Sequence, residues 1–530
     1  MQYLAQIASK EKIYKKNLWL DEIQETIYVQ DLRKKYNIKN DESVIIGEYD
    51  DPENQRQEAY TLPILTGENA VIYGNAESGK ETLLSTIVYE LINNYSSDRA
   101  WAYLLDFGSE SLTIFKEDPH IGDVIFLNET EKISRFFEMI ESEIKTRKEI
   151  LSNYNGDFNW YNEKSGKIMP AIVIIINNYE SFKEEYQMKY DDVLLTLTRE
   201  GNNCGIAFIF TVSSSSDMRY RLGQNFKNKI ALRMNNESDY NSIFDRISKK
   251  RPSNLFGRGL ISENGQIYEF QTAKICEPEE YNVFIRDLIE HQKEINKTKA
   301  KPVPVLPDRI TVEEVRKNIK SLQSIPLGIY KDSLSWCKYN FEKEFITIFT
   351  AKNIKDAGDF ALVFIEELKE IKELNINVFD TEKILNDENQ DILGEIENFL
   401  LELTNDNSNR HNICIIIGLE KFLQILSNEE LNFEDILSKA KEKKKYSFIF
   451  VENVNRIKNC SYNEWYKKYF ENDKGIWIGN GFDDQYVINL VERRKIQNKI
   501  GRSFGYVVKS GEFKLVKLVG MKDMGDDDYE

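Results

Sequence analysis

Residues 71–84 read VIYGNAESGKETLL, with Gly74, Gly79 and Lys80 at the spacing of a phosphate-binding loop, G-x-x-x-x-G-K-[ST]. The chemistry open to such a loop is phosphate capture. Its glycines permit a tight backbone path, its amides and a helix N-terminus face the phosphates, and its lysine reaches the outer ones. Hydrolysis asks for more. Glu81 stands where a hydroxyl would ligate Mg²⁺, and Thr82 cannot replace it, since one helical step turns the side chain by about 100°. Glu77 puts a carboxylate inside the loop, and a carboxylate about 5 Å from a phosphate charge costs roughly 3 kcal/mol at an effective dielectric near 20. A carboxylate can itself ligate Mg²⁺, so the expectation here is weak binding of ATP and Mg²⁺ or none.

A working ATPase also places an acid at the end of a second apolar strand, to hold hydrated magnesium and orient water. The strongest apolar run, PAIVIIINNYE (170–180), ends instead in Asn177 and Asn178, with Glu180 beyond the strand. An amide supplies neither the charge nor a base. Gly74, Gly79, Lys80, Glu81, Thr82, Asn177 and Asn178 therefore form a candidate nucleotide site of degenerate type, with no catalytic residue and no metal ligand assigned.

These residues need a strand before the loop, a helix after it and further parallel strands beside it. The first half offers AVIYGN (70–75), the helix KETLLSTIVYELINNY (80–95), AWAYLLDFG (100–108) with Asp106, PAIVIIINNYE, GIAFIFTVSSSS (205–216) and NKIALRMN (228–235). The second half repeats that order: EFITIFTAKN (344–353), DAGDFALVFIEELKEI (356–371), NINVFDTEK (375–383) with Asp380, NICIIIGLEKF (412–422), YSFIFVEN (446–453) and GIWIGNGF (475–482). The leads VIIGEYDD and IPLGIYKD agree, as do the tails beginning Gly257-Arg258 and Gly501-Arg502. The repeat places Gly74 beside Thr350, Asp106 beside Asp380 and Asn177 beside Gly418. On that register the second half has no glycine pair, no Gly-Lys and no acid, so no nucleotide is expected there. Near-continuous apolar strands alternating with amphipathic helices predict α/β modules with mostly parallel sheets. The proline-bearing stretch between them predicts residues 1–292 and 310–530 as the modules and 293–309 as a linker.

Bulk properties narrow the classes. The 530 residues carry 30% charged and 41% hydrophobic residues, a globular composition too long for one core. The longest strongly apolar run is too short to span a bilayer, and the start MQYLAQIASKEKIYKKN has no apolar signal region. Five scattered cysteines without a C-x-x-C pair predict a reducing compartment and neither disulfides nor zinc. A net charge of −17, with only local basic runs at 248–253 and 439–446, disfavours nucleic acid.

With these motifs in order, the chain resembles the C-terminal tandem ATPase modules of type VII secretion motors of the EssC type, within the FtsK/SpoIIIE family. The resemblance covers VIIGEYDDPENQRQ, GNAESGKETLL, IVIIINNYESF, LTREGNNCGIAFIFTVSS, FKNKIALRM and GRGL, and the second half is similar to the last, most degenerate module. Departures lie at Glu81, Asn177, Thr350 and Gly418. The resemblance implies a P-loop-NTPase-like (RecA/FtsK-like) fold in both modules and ATP with Mg²⁺ at the first alone. It further implies secreted partners of the WXG100 type with C-terminal signals, the membrane-anchored remainder of the motor and a hexameric full assembly. The location implied is the cytoplasmic side of the bacterial membrane. The expected role is substrate recognition and regulation of export with weak or no ATP hydrolysis; the alternative is an active ATP-driven translocase of protein or DNA.

Overall fold

The structure, a computed structural model, describes residues 21–39, 44–244, 251–369, 371–385, 391–405, 410–497 and 499–521. The chain start and the acidic end, 522–530, lie outside these, as do 248–250 of the first basic run. Two compact units divide the chain, Met1–Pro304 and Val305–Glu530.

The first unit is built on ten strands: β1 (Val44–Asp51), β2 (Arg56–Leu62), β3 (Ala70–Tyr73), β4 (Ala100–Asp106), β5 (Ile121–Phe126), β6 (Ala171–Asn177), β7 (Ile206–Val212), β8 (Asn228–Leu232), β9 (Arg258–Glu263) and β10 (Gln266–Thr272). They are ordered β2-β1-β10-β9-β8-β3-β7-β6-β4-β5. From β8 to β5 every pairing is parallel. The wing from β2 to β9 is antiparallel, and β9 joins it to β8.

Burial on both faces explains why β6 and β7 lack the alternation of a half-exposed strand: every residue of each is buried. In β3 the faces separate cleanly, Ala70 and Ile72 packing on one side, Val71 and Tyr73 on the other. The helix Lys80–Asn94 covers the first face with Leu83, Leu84, Ile87 and Leu91, and Thr130–Leu151 covers the second with Ile133, Phe136 and Ile140. The helix Tyr281–Ile295 extends into the expected linker. Residues 296–303 then lie against this same unit through Ser97 N–H to Asn296 Oδ1 (2.8 Å), Ala300 N–H to Pro119 O (2.8 Å) and Tyr103 Oη–H to Lys301 O (2.8 Å), with Val303 buried.

The second unit has nine strands: β11 (Ile325–Tyr330), β12 (Trp336–Tyr339), β13 (Ile346–Ala351), β14 (Leu374–Asp380), β15 (His411–Ile417), β16 (Tyr446–Asn453), β17 (Gly475–Ile478), β18 (Phe504–Lys509) and β19 (Glu512–Leu518). Their order, β12-β11-β19-β18-β17-β13-β16-β15-β14, is that of the first unit without a counterpart of β5. Even the irregularities repeat. Gly47 and Gly328 both sit at a register shift in the lead hairpin, and a Cβ on either would lie 2.1 Å from a carbonyl oxygen, of Gln271 and Lys517 respectively.

Strand pairing fixes the residue correspondence and corrects the sequence register by one place at two sites. Asp106 pairs with Asn177 and Asp380 with Ile417, so Asn177 corresponds to Ile417 and Asn178 to Gly418. Asn178 and Gly418 both have left-handed φ and both precede a helix. Tyr73 and Thr350 occupy the same row of their sheets, which makes Ala351 the counterpart of Gly74. The Gly-Arg echo of the tails is likewise out of step. Gly259 corresponds to Gly505, so Arg258 answers to Phe504 and not to Arg502. Arg258 is buried, bonded to Gln271 Oε1 (2.8 Å) and Ile23 O (2.9 Å), and it pins the chain before β1.

Candidate functional site

The loop after β3 is held from both ends. Gly74 N–H donates to Val212 O at 3.1 Å and Asn75 N–H to Arg233 O at 2.9 Å, which seats the loop on the ends of β7 and β8. A Cβ on Gly74 would come within 2.4 Å of Ser78 Oγ, so the loop can curl this tightly only with glycine there. Gly79 has φ 101° and packs against Gly257, whose N–H donates to Ser78 O at 3.1 Å. Ser78 Oγ is buried without a hydrogen-bond partner.

Lys80 folds back on its own loop, donating to Gly74 O and to Asn75 O (3.0 Å). Burial lowers its pKa, opposed by Glu180 and Glu81. Glu81 is exposed in the first helical turn, and Thr82 is half-buried beside it.

At the end of β6 both asparagines bond to the protein. Asn177 donates through Nδ2 to Asp106 Oδ1 (2.8 Å) and accepts from Thr211 Oγ1 (2.7 Å). Asn178 donates its N–H to Thr211 Oγ1 (2.8 Å) and its Nδ2 to Ser181 Oγ (2.8 Å). Asp106 also receives Gly108 N–H and Leu112 N–H, just as Asp380 receives Glu382 N–H and Leu385 N–H. The strand-end aspartates therefore close turns in both units.

The residue that sequence reading set aside is Glu180. It lies in the first turn of the helix Tyr179–Tyr186, with Oε1 bonded by Ser213 Oγ–H and Oε2 buried and unpartnered. It also acts electrostatically on Lys80, so it faces the site from beyond the strand end. Its place just past the strand end, three residues after Asn177, was the available signal.

The corresponding place in the second unit is closed by its own side chains. Gly74 is followed by five residues, 75–79, before the helix, whereas Ala351 is followed by two, 352–353. Asn353 caps the helix Ile354–Leu368 by accepting from Lys355 N–H (3.1 Å). In its first turn Asp356 accepts from Arg502 Nε–H (3.0 Å), and Arg502 also pairs with Asp359 (3.4 Å). At the ends of β14 to β16, Arg456 reaches Glu382 (2.5 Å), Glu420 (3.5 Å) and Glu452 (3.6 Å), while Lys421 reaches Glu382 (2.9 Å). Three carboxylates against two cations leave this edge negative, with Glu452 fully buried and its pKa raised by that burial. A phosphate would meet acidic side chains and a capped helix.

The same unit carries a groove of about 480 Å³ between the helices Leu419–Asn428, Phe433–Lys443 and Glu464–Tyr469. Leu423, Leu426, Leu431, Phe433 and Trp465 line it, and the Trp465 indole N–H is buried without a partner. Among the described residues no cluster of potential metal ligands occurs, no helix is long and apolar enough to cross a membrane, and all five cysteines are free.

A parallel core of six strands in the first unit, entered through a glycine loop, and of five in the second, each with an antiparallel wing, defines a tandem α/β, P-loop-NTPase-like protein. Residues 30–270 match the model of the FtsK/SpoIIIE family, so the first unit is an FtsK/SpoIIIE domain, and the chain is homologous to EssC of type VII secretion. The type VII secretion system protein EssC of Staphylococcus aureus strain MRSA252 is 27% identical over 332 residues, which is 59% of this chain and 22% of the relative. The chain spans about a quarter or less of the length of the curated relatives it matches. Among solved structures, EssC (ATPases 2 and 3) from Geobacillus thermodenitrificans superimposes with a TM-score of 0.78 at 21% identity, covering 94% of this chain and 99% of the other. Thermomonospora curvata EccC (ATPases 2 and 3), solved with a signal sequence peptide, gives 0.52 at 17% identity, over 92% and 94%.

Proposed function

We propose that this chain works within a type VII secretion motor on the cytoplasmic face of the membrane. The first unit is a regulatory nucleotide module with little or no turnover, and the second receives secreted substrates of the WXG100 type through their C-terminal signals. The observation that carries this reading is the contrast between the two strand-end sites. One keeps a glycine loop and a lysine while its strand-end amides are committed to the protein, and the other replaces phosphate by internal ion pairs. That contrast supports ATP with Mg²⁺ at the first unit alone. A unit so closed to nucleotide still offers a surface for binding, and its groove, where leucine and aromatic side chains alternate with Ser427, Glu430 and Asn432, suits a helix presenting apolar anchors at i, i+3 and i+4. The signal-peptide complex of the Thermomonospora protein supports the same assignment by homology.

The test measures fluorescence anisotropy of a labelled C-terminal helix from a WXG100 protein titrated with the whole chain. Leu423→Glu, a half-buried groove position, is expected to weaken binding about tenfold or more, with ATP binding unchanged. Unaltered peptide affinity in that variant would refute the groove as receptor. In parallel, ATP turnover of roughly 1 per second or more, lost on Lys80→Ala, would replace the regulatory reading with the translocase one.

A further inference from the structure

The glycine loop of the first unit has a neighbour from far along the chain that its phosphate chemistry does not use. The segment 254–257 reaches the loop from the start of the β9–β10 hairpin. Gly257 donates its N–H to Ser78 O at 3.1 Å, and its backbone lies 3.0 Å from where a Cβ on Gly79 would stand. The next nearest atom to that point is Cε1 of Phe256, at 3.6 Å. Phe256 is 50% exposed, an aromatic ring set beside the loop with half its surface open to solvent.

The ring's backbone is fixed. Phe256 O accepts from Gln271 Nε2 (3.0 Å), Ser253 N–H donates to Glu269 Oε1 (2.9 Å) and Asn254 Oδ1 accepts from Arg233 (3.3 Å). Arg233 itself supplies the carbonyl that seats Asn75. Hairpin and loop thus form one bonded wall. Within the loop, Ser78 Oγ, on a residue 1% exposed, has no partner, a polar atom still available to a ligand.

A phosphate loop cradles the α- and β-phosphates with its amides, so the sugar and base of a nucleotide must leave at the loop's rim. We infer that Phe256 is the base platform of this site: its exposed face stacks on the nucleobase of a triphosphate held by residues 74–80. An aromatic face accepts every base, because stacking depends on ring overlap and not on a hydrogen-bond pattern. The site therefore takes nucleoside triphosphates as a class, ATP and GTP alike, and prefers them to the same phosphates without a base. A ring carried on a fixed backbone costs less ordering entropy on binding than one on a loose loop, which helps a loop whose phosphate grip is weakened by Glu77 and Glu81. This inference rests on the nucleotide reading of the first unit.

The experiment compares MgATP, MgGTP and magnesium tripolyphosphate by titration calorimetry on the full chain, in the wild type and in Phe256→Ala, Phe256→Trp and Lys80→Ala. ATP and GTP should bind with similar affinity, about tenfold or more tighter than tripolyphosphate. Phe256→Ala should bring ATP down to the tripolyphosphate level without altering the latter, and Phe256→Trp should keep or strengthen ATP binding. Lys80→Ala should weaken all three ligands. Equal affinity for ATP and tripolyphosphate in the wild type, or an ATP affinity indifferent to Phe256→Ala, overturns the platform while leaving the phosphate loop standing. Absence of binding by all three ligands overturns the loop reading and the platform with it. Phe256 is exposed, so an unchanged thermal transition checks that its variants remain folded.

Discussion

The same crossover from strand to helix is built twice in this chain, and the copies differ in what meets the helix N-terminus. After β3, six residues, 74–79, curl through two glycines, and no side chain caps the helix Lys80–Asn94. After β13, two residues make the turn, Asn353 caps the helix and Arg502 binds Asp356 of its first turn and Asp359 one turn on. The flanking strands pair alike in both. A phosphate loop is therefore a detachable part of this fold: sheet order is set by the apolar faces, and the loop by what it must hold. Where the second unit has internal ion pairs the first has an uncapped glycine loop, and that contrast can be tested from both sides.

The largest expected effect concerns how each crossover helix buries a glutamate. Glu90 in the first unit is 0% exposed and bonded by Arg33 Nε (3.2 Å) and Ile45 N–H (2.9 Å). Glu367 in the second is 1% exposed, its Oε2 has no hydrogen-bond partner, and burial raises its pKa from 4.5 to about 9. The folded unit thus favours the protonated acid. The stabilisation is fully present below pH 4.5 and is lost as pH rises through about 9. At pH 7 the loss amounts to about 3.5 kcal/mol at most, from about 1.4 kcal/mol per pH unit. Glu367→Gln should remove this slope and leave the unit more stable at pH 8 than the wild type. Hydrogen exchange of peptides covering Ile354–Leu368, at pH 5 and pH 8 after correction for the intrinsic rate, reads it. An equal pH slope in the variant would refute the assignment.

Next in size is the phosphate grip. Lys80→Ala removes a charge-assisted contact worth about 1.5–3 kcal/mol, so ATP affinity should fall between about tenfold and a hundredfold. No substitution in 350–356 should change ATP affinity at all. An ATP signal that survives Lys80→Ala and responds to Asp356→Ala would invert the comparison between the units.

Restoring the strand-end acid should not restore an enzyme. Asn177→Asp sets a second carboxylate where an amide N–H now bonds Asp106 at 2.8 Å. Two such carboxylates cannot both ionise at this range, so the pair keeps a proton that neither holds in the unfolded chain. The variant should be destabilised by about 1–2 kcal/mol near neutral pH, relieved on acidification, with no gain in turnover. Urea unfolding of the variant at pH 5 and pH 7.5 shows the sign. A jump in ATPase rate would mean that Asn177 alone silences the site.

How far the sequence speaks to these sites depends on what each feature rests on. The α/β class and the repeat were legible because buried parallel strands leave unbroken apolar runs, as β6 and β15 do. The register was not, by one residue at Gly74 and at Asn177, because an apolar run does not mark its last hydrogen bond and glycines attract alignment wherever they stand. Ala351 and Ile417 hold those places through pairing with strands distant in sequence. Glu180 was set aside, and Ser213 and Phe256 escaped notice, for a related reason. Each reaches the loop from a different crossover or hairpin, and only the strand order β8-β3-β7-β6 brings those ends together. The strand-end aspartates were conspicuous in sequence, yet Asp106 and Asp380 are occupied in binding their own turns.

The smallest effect is also the most direct measure of the difference between the two helix starts. Asn353 satisfies a first-turn amide in the second unit, a cap whose loss costs about 1 kcal/mol. Gly79, at the same place in the first unit, offers no side chain, so its helix has no side-chain cap. Asn353→Ala should therefore lower the stability of the second unit by about 1 kcal/mol whether or not nucleotide is present. The first unit should respond in the opposite manner. MgATP at ten times its dissociation constant stabilises whatever binds it by about 1.4 kcal/mol, and that increment should appear in peptides of Lys80–Asn94 and be absent from those of Ile354–Leu368. Hydrogen exchange with and without MgATP resolves the two helices in one experiment on the whole chain. Protection appearing in the second helix, or rescue of Asn353→Ala by nucleotide, would show that the shortened loop still receives phosphate and that the two units differ in degree and not in kind.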